Sequence, residues 1–210
     1  DRSLDLLILT HPDADHLNGL LEVLRRYDVA LVLETGVLHS TPQYQEWRAL
    51  LKERGVRVVR AERGQKLAFG KGVFMYILAP FENYAGQSVG KINNTSIVGR
   101  LVHGGNSVLL TGDIEKLVER RLVFESLNTN FLLLDSDVLK VPHHGSKTSS
   151  GEEFLRAVSP EAAVIQVGRQ NRYGHPVQEV LDRLALVGAK ILRNDLDGDI
   201  KIVSDGNNLK

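Results

Sequence analysis

Four residues that can bind metal ions or transfer protons are concentrated in one short segment near the start of the chain. They are His11, Asp13, Asp15 and His16. Side chains at alternate positions of an extended loop point the same way, so His11 and Asp13 can share one ion while the other two turn toward a second. An alternative is that Asp15 only caps the following helix, but capping needs one such residue and leaves the other three unexplained.

A further carboxylate, Asp113, follows an apolar run at residues 107–111 and a glycine. Taken alone, it could instead be the N-cap of a helix that starts at Ile114. Together with the first segment it predicts a site for two divalent ions that Asp113 bridges. Paired ions lower the pKa of bound water and hold both the attacking and the leaving oxygen of a displacement reaction. The carboxylate of Asp13 favours Mn²⁺ over a purely zinc site without excluding Zn²⁺.

The run His143-His144-Gly145-Ser146 contributes further candidates. Adjacent side chains point in different directions, so at most one of the two histidines is an obvious metal ligand, and the residues alone leave open which. Gly145 and Ser146 offer close backbone approach, an amide and a hydroxyl, which suit an oxyanion or a phosphate. The neighbouring Lys147 could hold a backbone phosphate, although an ordinary solvated lysine is the alternative.

The fourth segment, residues 171–176, lies between a predicted strand and a predicted helix. His175 is its candidate functional residue, although a histidine before proline is more often structural. Asn171 and Arg172 are candidate contacts to the substrate. For Arg172, a solvated surface position is again the alternative.

Two more histidines are predicted to lie outside the site. A hairpin centred on residues 104–105 would put His103 at its turn, about 20 Å from the Asp113 end of the sheet. The same pairing brings Asn94 toward the Asp113 end, as a candidate substrate contact. His39 lies in a loop with no second ligand beside it in the sequence, and we expect it to be uninvolved.

Strands and helices alternate along the chain and would carry these segments at strand ends, where α/β folds place their sites. The apolar patterns predict strands at residues 4–10, 29–33, 56–60, 72–78, 95–102, 107–111, 138–141, 162–167, 190–192 and 200–203. They predict helices around residues 17–24, 43–54, 114–122, 151–158 and 177–184. Because the sequence contains no repeat or linker, we expect one α/β domain over residues 1–210.

Composition excludes several classes of protein. The chain has 42% hydrophobic and 25% charged residues, and Lys+Arg equals Asp+Glu at 26 each, so no bulk positive charge attracts nucleic acid. Cysteine is absent, which excludes thiolate metal sites and thiol nucleophiles. The apolar stretches are too short to cross a membrane, and we expect no lipid contact by this chain itself. Because the sequence opens with Asp1 and soon enters an apolar run, we interpret it as an excerpt, or a processed piece, of a longer protein.

The motifs at residues 10–16, 111–113 and 143–146 resemble those of the metallo-β-lactamase superfamily. The His-x-Asp-x-Asp-His form and residues 171–176 are similar to one branch, the C-terminal hydrolase-like domains of ComEC-type competence (DNA-uptake) proteins. The resemblance implies an αββα sandwich that holds two metal ions at the sheet edges. The run that usually opens the family is missing here, so we expect the first strands to be lacking.

Matched by position to the motifs of the family, His11 and Asp13 would hold one metal ion, and Asp15 and His16 would hold the other. Asp113 would bridge the two ions. The resemblance matches His143 to the later histidine ligand, with His144 less certain. It also implies that His175 binds a metal or the scissile phosphate. The candidates for a catalytic role are therefore Asp15, Asp113 and His175.

The resemblance implies a phosphodiesterase-like hydrolase, most simply a nuclease that degrades the DNA strand that is not imported. One alternative is a stand-alone hydrolase of small esters or phosphoesters. Another is a degenerate domain that gates the uptake channel, because the family usually has histidine at position 13 and a further histidine where residues 93–96 stand here.

The implied partners are DNA, bound weakly by this chain alone, and the membrane channel portion of the same parent protein. Such a domain would lie at the extracytoplasmic face of the plasma membrane. A stand-alone enzyme would instead be cytoplasmic.

Overall fold

The computed structural model describes residues 2–129 and 133–210 and has a mixed α/β architecture. Its strands are β1 Ser3–Leu4, β2 Leu7–Ile8, β3 Asp28–Val29, β4 Leu31–Glu34, β5 Arg57–Arg60, β6 Lys66–Gly70, β7 Val73–Ala79, β8 Val98–His103, β9 Asn106–Leu110, β10 Val138–Lys140, β11 Ala162–Ile165 and β12 Lys190–Arg193. Its helices are α1 Ala14–Arg26, α2 Pro42–Glu53, α3 Lys116–Asn128, α4 Glu152–Val158, α5 Gln178–Leu186 and α6 Asn194–Asp197. In the described ranges, none of these helices is long and apolar enough to cross a membrane.

The chain divides into two compact units. Unit 1 comprises Asp1–Arg63 and Ala79–Ile97, and unit 2 comprises Gly64–Leu78 and Val98–Lys210. Each unit carries a cluster of histidine and aspartate side chains.

Unit 1 is built on short parallel strands with two helices packed against them. Strands β2, β4 and β5 form one parallel sheet, and β1 pairs with β3. The 3.6-residue apolar period of α1 buries Leu17, Leu21 and Leu24 in the same core as Trp47 of α2 and Val32 of β4. This core holds the β2–α1 loop, which carries the first motif, between a strand end and a helix start.

Unit 2 contains a seven-stranded sheet in the order β12-β11-β10-β9-β8-β7-β6. Strands β9, β10, β11 and β12 run parallel to one another, so their carboxyl ends meet at one edge of the sheet. Asp113 follows β9, His143 follows β10, and the 171–176 segment follows β11. Parallel pairing therefore brings three of the predicted segments to the same sheet edge within this unit.

The β8–β9 hairpin has the register predicted from its turn residues, with Gly99 opposite Leu110 and His103 opposite Asn106. His103 is accordingly at the turn, where its Nδ1 lies 3.1 Å from the hydroxyl of Ser204. The prediction that the turn is centred on the glycine pair is confirmed.

The structure departs from the predicted strands at residues 4–10, 66–70 and 200–203. The run at 4–10 forms two short strands, β1 and β2, interrupted near the polar Asp5. Strand β6 was not predicted, because its alanine and glycine are poor strand formers. The predicted strand at 200–203 is wrong: within the described range 133–210 it joins no sheet, and Val203 instead exchanges backbone hydrogen bonds with Lys210. Val203 is 49% exposed, so burial of its side chain contributes little to stabilising a longer strand there.

Candidate metal centre

The first motif lies in a loop that backbone hydrogen bonds hold on both sides. The amide of Leu9 donates to the carbonyl of Leu33 (3.0 Å), and the amide of Ile97 donates to the carbonyl of Thr10 (3.0 Å). These bonds tie the loop to β4 and to the segment that precedes β8. The donor groups of the motif therefore project from a supported backbone.

Within unit 1 the motif forms two adjacent histidine–aspartate pairs. Nε2 of His11 lies 3.6 Å from Oδ2 of Asp13, and Nε2 of His16 lies 4.0 Å from Oδ2 of Asp15. The two imidazole centroids are 4.2 Å apart, and His11 is almost completely buried. Nitrogen and carboxylate oxygen donors at such separations suit Mn²⁺ or Zn²⁺.

Two hydroxyl groups that the sequence reasoning missed orient these rings. The Thr10 hydroxyl lies 3.2 Å from Nδ1 of His11 and 3.3 Å from Nδ1 of His16. The Ser96 hydroxyl lies 3.2 Å from Nδ1 of His11. Nδ1 of each ring is thus engaged by hydroxyls while Nε2 faces a carboxylate, the usual arrangement of a histidine prepared for ligation through Nε2. A residue that contacts Nδ1 carries no recognisable spacing signal, because serine and threonine occur throughout the sequence.

The capping alternative does not account for these aspartates. The residue at the N-cap of α1 is Asp13 rather than Asp15, and in the described structure its side chain makes no capping hydrogen bond. Helix α3 begins at Lys116 with Glu115 as its N-cap, so Asp113 is not a cap either. The carboxylates are therefore directed to other partners.

In unit 2, Asp113 is a buried carboxylate that faces a lysine and a histidine. It is only 2% exposed, with Oδ1 3.6 Å from Nζ of Lys140 and Oδ2 3.3 Å from Nε2 of His144. Lys140 also donates to the carbonyl of Gly112 at 3.0 Å. The lysine ammonium compensates part of the charge that burial would otherwise make costly.

The structure places His143 and His144 differently. Nδ1 of His144 lies 2.6 Å from the carbonyl oxygen of Gln166, whereas Nδ1 of His143 lies 3.1 Å from the hydroxyl of Thr148. Both residues have left-handed backbone angles, with φ of 50° and 52°, which non-glycine residues rarely adopt. Such strain is typical of functional sites, and here it turns the two rings toward different partners.

Gly145 and Ser146 are engaged within their own loop. A Cβ atom at Gly145 would lie 2.6 Å from Cβ of Pro176, and the residue has φ of +81°, so only glycine fits there. The amide of Ser146 donates to the carbonyl of His143 (2.8 Å), and its hydroxyl lies 3.2 Å from that of Thr148. In this conformation both residues shape the loop, and their contact with a phosphate stays a prediction.

His175 lies beside His143, with ring centroids 5.8 Å apart. Burial, and then the neighbouring His143 and His144, lower the pKa of His175, so its imidazole is neutral near pH 7. Its Nδ1 is buried and has no hydrogen-bond partner among the described residues. A buried nitrogen of this kind, in a cluster of histidine and aspartate, fits a metal ion or a substrate oxygen.

The remaining candidates for substrate contact differ in what they do. The Asn171 side chain donates to the carbonyl of His175 (2.8 Å) and accepts from its amide (2.9 Å), so it holds the loop closed. Lys147 and Arg172 are exposed. Asn94 lies in unit 1, in a 3-10 turn at Ile92–Thr95, with its amide donating to the carbonyl of Lys91.

Comparison with known proteins agrees with this chemistry. Residues 1–169 match the model of the family described as the metallo-β-lactamase superfamily. Over 201 residues the chain is 39% identical to ComE operon protein 3 of Bacillus subtilis (strain 168), covering 95% of this chain and 24% of that protein. Over 200 residues it is 36% identical to competence protein ComA of Neisseria gonorrhoeae, covering 95% of this chain and 25% of that protein. The chain thus spans about a quarter of the length of these curated relatives.

A solved structure with a similar fold is that of the metallo-β-lactamase fold protein YhfI from Bacillus subtilis. The TM-score is 0.53 at 12% sequence identity, and the match covers 90% of this chain and 74% of that one. At this identity the likeness concerns the fold alone.

Proposed function

The chain belongs to the metallo-β-lactamase superfamily, and we propose that it is a metal-dependent hydrolase that cleaves phosphodiester bonds in DNA. The family, the mixed α/β metallo-β-lactamase fold and the relation to competence proteins, all expected from the sequence motifs, are confirmed. The observation that best supports a hydrolytic centre is the environment of Asp113. A buried carboxylate 3.3 Å from an imidazole Nε2 brings together two donor types that divalent metal ions bind.

The proposed cofactors are two divalent ions, Mn²⁺ or Zn²⁺. We assign His11 and Asp13 to one ion, Asp15 and His16 to the other, and Asp113 to both, as the sequence pattern predicts. When bound, such ions lower the pKa of water and neutralise charge on the phosphoryl oxygens.

The later histidines complete the proposed ligand set. His144 is our preferred ligand from the 143–144 pair, because its Nδ1 is committed to a carbonyl and its Nε2 is directed at Asp113. His175 is neutral near pH 7 and can accept a proton or coordinate through its Nδ1. His143 packs against His175 and orients it.

The choice of DNA as substrate rests on the competence relatives and on the exposed cations near the proposed centre. Lys147 and Arg172 are exposed on the loops that follow β10 and β11, where they can contact backbone phosphates. Because the chain has zero net charge, we expect it to bind DNA weakly on its own and with a shallow dependence on salt.

We further propose that the chain is one domain of a larger competence protein. Its curated relatives are about four times as long as the matched region. The partner in that case is the membrane channel portion of the same parent, and the domain lies at the extracytoplasmic face of the plasma membrane. This arrangement would deliver DNA to a domain that binds it weakly.

The proposal is tested by incubating the protein with single-stranded and double-stranded DNA and Mn²⁺, beside an Asp113→Asn variant. The matched control is Asp182→Asn, which makes the same change at an exposed aspartate. We expect metal-dependent cleavage by the wild type and the control, and a loss of at least about 100-fold in Asp113→Asn. Hydrolysis of a small phosphodiester without DNA cleavage would favour the small-substrate alternative. Inactivity toward both, with fewer than two ions bound, would favour the gating domain.

A further inference from the structure

The loop before α2 carries a histidine, His39, that the metal motifs do not include. We infer that His39 is a positioning residue for Asp13: its Nε2–H donates to one carboxylate oxygen and so directs the other toward the metal. The inference rests on the metal-binding role proposed for Asp13 but not on DNA being the substrate. Because His39 lies 26 positions beyond Asp13 and has no ligand beside it in the sequence, only the fold could associate the two.

The carboxylate of Asp13 lies between two imidazoles, one on each oxygen. Nε2 of His11 is 3.6 Å from Oδ2, and Nε2 of His39 is 3.7 Å from Oδ1. The fold thus places His39 beside a predicted metal ligand, although no ligand neighbours it in the sequence. All three residues belong to unit 1.

The contacts of His39 determine which of its nitrogens carries the proton. The amide of Thr41 donates to Nδ1 of His39 at 3.4 Å, and the Thr41 hydroxyl lies 2.9 Å from the same atom. That hydroxyl oxygen accepts from the amide of Tyr44, so its own proton is available to Nδ1. Because Nδ1 receives hydrogen bonds, the proton of the neutral ring resides on Nε2, the atom that faces Asp13.

The fold also fixes the orientation of the ring. Thr41 is the N-cap of α2, and Tyr44, which is buried, contacts the His39 ring edge-on with centroids 6.4 Å apart. The backbone just before His39 is held by the amide of Leu38, which donates to the carbonyl of Gln87 at 2.8 Å. The Nε2–H of His39 is therefore oriented toward Asp13 before any metal is bound.

A purely structural role of His39 in capping α2 would not require Nε2 to face a carboxylate. Capping of α2 uses only the Thr41 hydroxyl, and the contacts that orient the ring involve Nδ1 and the ring edge. The separation of 3.7 Å exceeds a normal hydrogen bond, and such contacts often tighten in the loaded site. A donor to the second oxygen of a ligating carboxylate holds it in a single orientation, and losing such a partner typically weakens metal binding about 10- to 100-fold.

The experiment measures Mn²⁺ affinity by calorimetric titration for the wild type, His39→Ala and His39→Gln. Glutamine places an amide N–H near the position of Nε2, so it should restore most of the affinity that alanine loses. We expect His39→Ala to weaken binding about 10- to 100-fold with no change in the unfolding midpoint of the metal-free protein. The matched control is His103→Ala, because His103 contacts Ser204 at the β8–β9 turn; its affinity should equal that of the wild type.

A double-mutant comparison sharpens the test. In an Asp13→Ala background, His39→Ala should have no further effect on Mn²⁺ affinity, because its target carboxylate is gone. Equal affinities of His39→Ala and the wild type would overturn the inference, as would equal losses in the alanine and glutamine variants accompanied by a lower unfolding midpoint. If the wild type binds no divalent ion, the proposed function fails and this inference fails with it. If the wild type binds Mn²⁺ and His39→Ala binds it equally well, only the inference fails, so the two failures are distinguishable.

Discussion

Nδ1 of His144 lies 2.6 Å from the carbonyl oxygen of Gln166, and Nε2 of the same ring lies 3.3 Å from Oδ2 of Asp113. A carbonyl only accepts hydrogen bonds, so Nδ1 carries a proton, and Nε2 of the neutral ring directs a lone pair at a carboxylate. Two electron-rich atoms so close require a proton or a cation between them. Gln166, which follows β11, therefore determines which nitrogen of His144, which follows β10, faces Asp113 without a proton.

This relationship predicts that His144 contributes more to metal binding than His143. We expect His144→Ala to lower Mn²⁺ affinity at least about 10-fold and His143→Ala to have a smaller effect, because the Nδ1 of His143 contacts Thr148. Both positions have positive φ, so the alanine variants share the same backbone strain and serve as controls for each other. Affinities measured by competition with a chelating dye provide the comparison. A larger loss in His143→Ala would reverse the assignment.

Tyr173 is predicted to stack on a base of single-stranded DNA. Its ring is 81% exposed and lies parallel to that of His175, at 5.9 Å between centroids, next to the exposed Arg172. Loss of one stacked base costs about 1–3 kcal/mol, so Tyr173→Ala should raise the KM for a single-stranded oligonucleotide about 5- to 160-fold. Tyr173→Phe, which retains the ring face, should behave as the wild type.

An abasic oligonucleotide provides the control for stacking. Wild type and Tyr173→Ala should have the same KM for it, because no base is present to stack. A difference that persists on the abasic strand would show that Tyr173 acts through the backbone or through His175 instead.

Glu119 is predicted to make stability depend on pH. Burial raises the pKa of Glu119 to about 7, although its carboxylate accepts from the amides of Ser150 and Gly151 at 2.5 and 2.8 Å. The folded state then binds more protons than the unfolded state between pH 4.5 and pH 7, so the free energy of unfolding falls as pH rises through that window. The expected loss is about 3 kcal/mol from this group.

Denaturant unfolding at pH 4.5, 6 and 7.5 measures this effect. The stability of Glu119→Gln relative to the wild type should rise with pH across the window, because glutamine does not ionise. Glu153→Gln, at an exposed position on α4, is the matched control and should leave the pH profile unchanged. A pH-independent difference between Glu119→Gln and the wild type would contradict the shifted pKa.

Gly145 is predicted to be required for packing as well as for its backbone angle. In Gly145→Ala, the new Cβ would lie 2.6 Å from Cβ of Pro176, at φ of +81°. Gly188→Ala has a similar φ of +78°, but among the described residues nothing lies within 4 Å of its Cβ. We expect Gly188→Ala to cost about 1 kcal/mol of unfolding free energy and Gly145→Ala to cost about 1–3 kcal/mol more. Equal costs in thermal or denaturant unfolding would show that the loop yields at Pro176.

The sequence alone determined the elements that carry the centre. The apolar period of α1 and the paired glycines of the β8–β9 turn are local signals, and each specifies its element without help from distant residues. The dense set of histidine and aspartate at residues 10–16 likewise predicts metal chemistry from residue type and spacing. Membership of the family therefore follows from short motifs, because the residue types and spacings that identify it are all local.

Tertiary structure decided which atoms meet. The approach of His39 to Asp13 and the hydrogen bond between His144 and Gln166 join residues 26 and 22 positions apart, and no spacing rule relates them. The orientation of each ring depends on backbone angles, such as the positive φ of His144, and on hydroxyl groups such as that of Thr41. These ring orientations depend on tertiary packing. The hydrogen-bond partners of a side chain are set by where the fold brings other strands and loops, and the local sequence does not encode those positions.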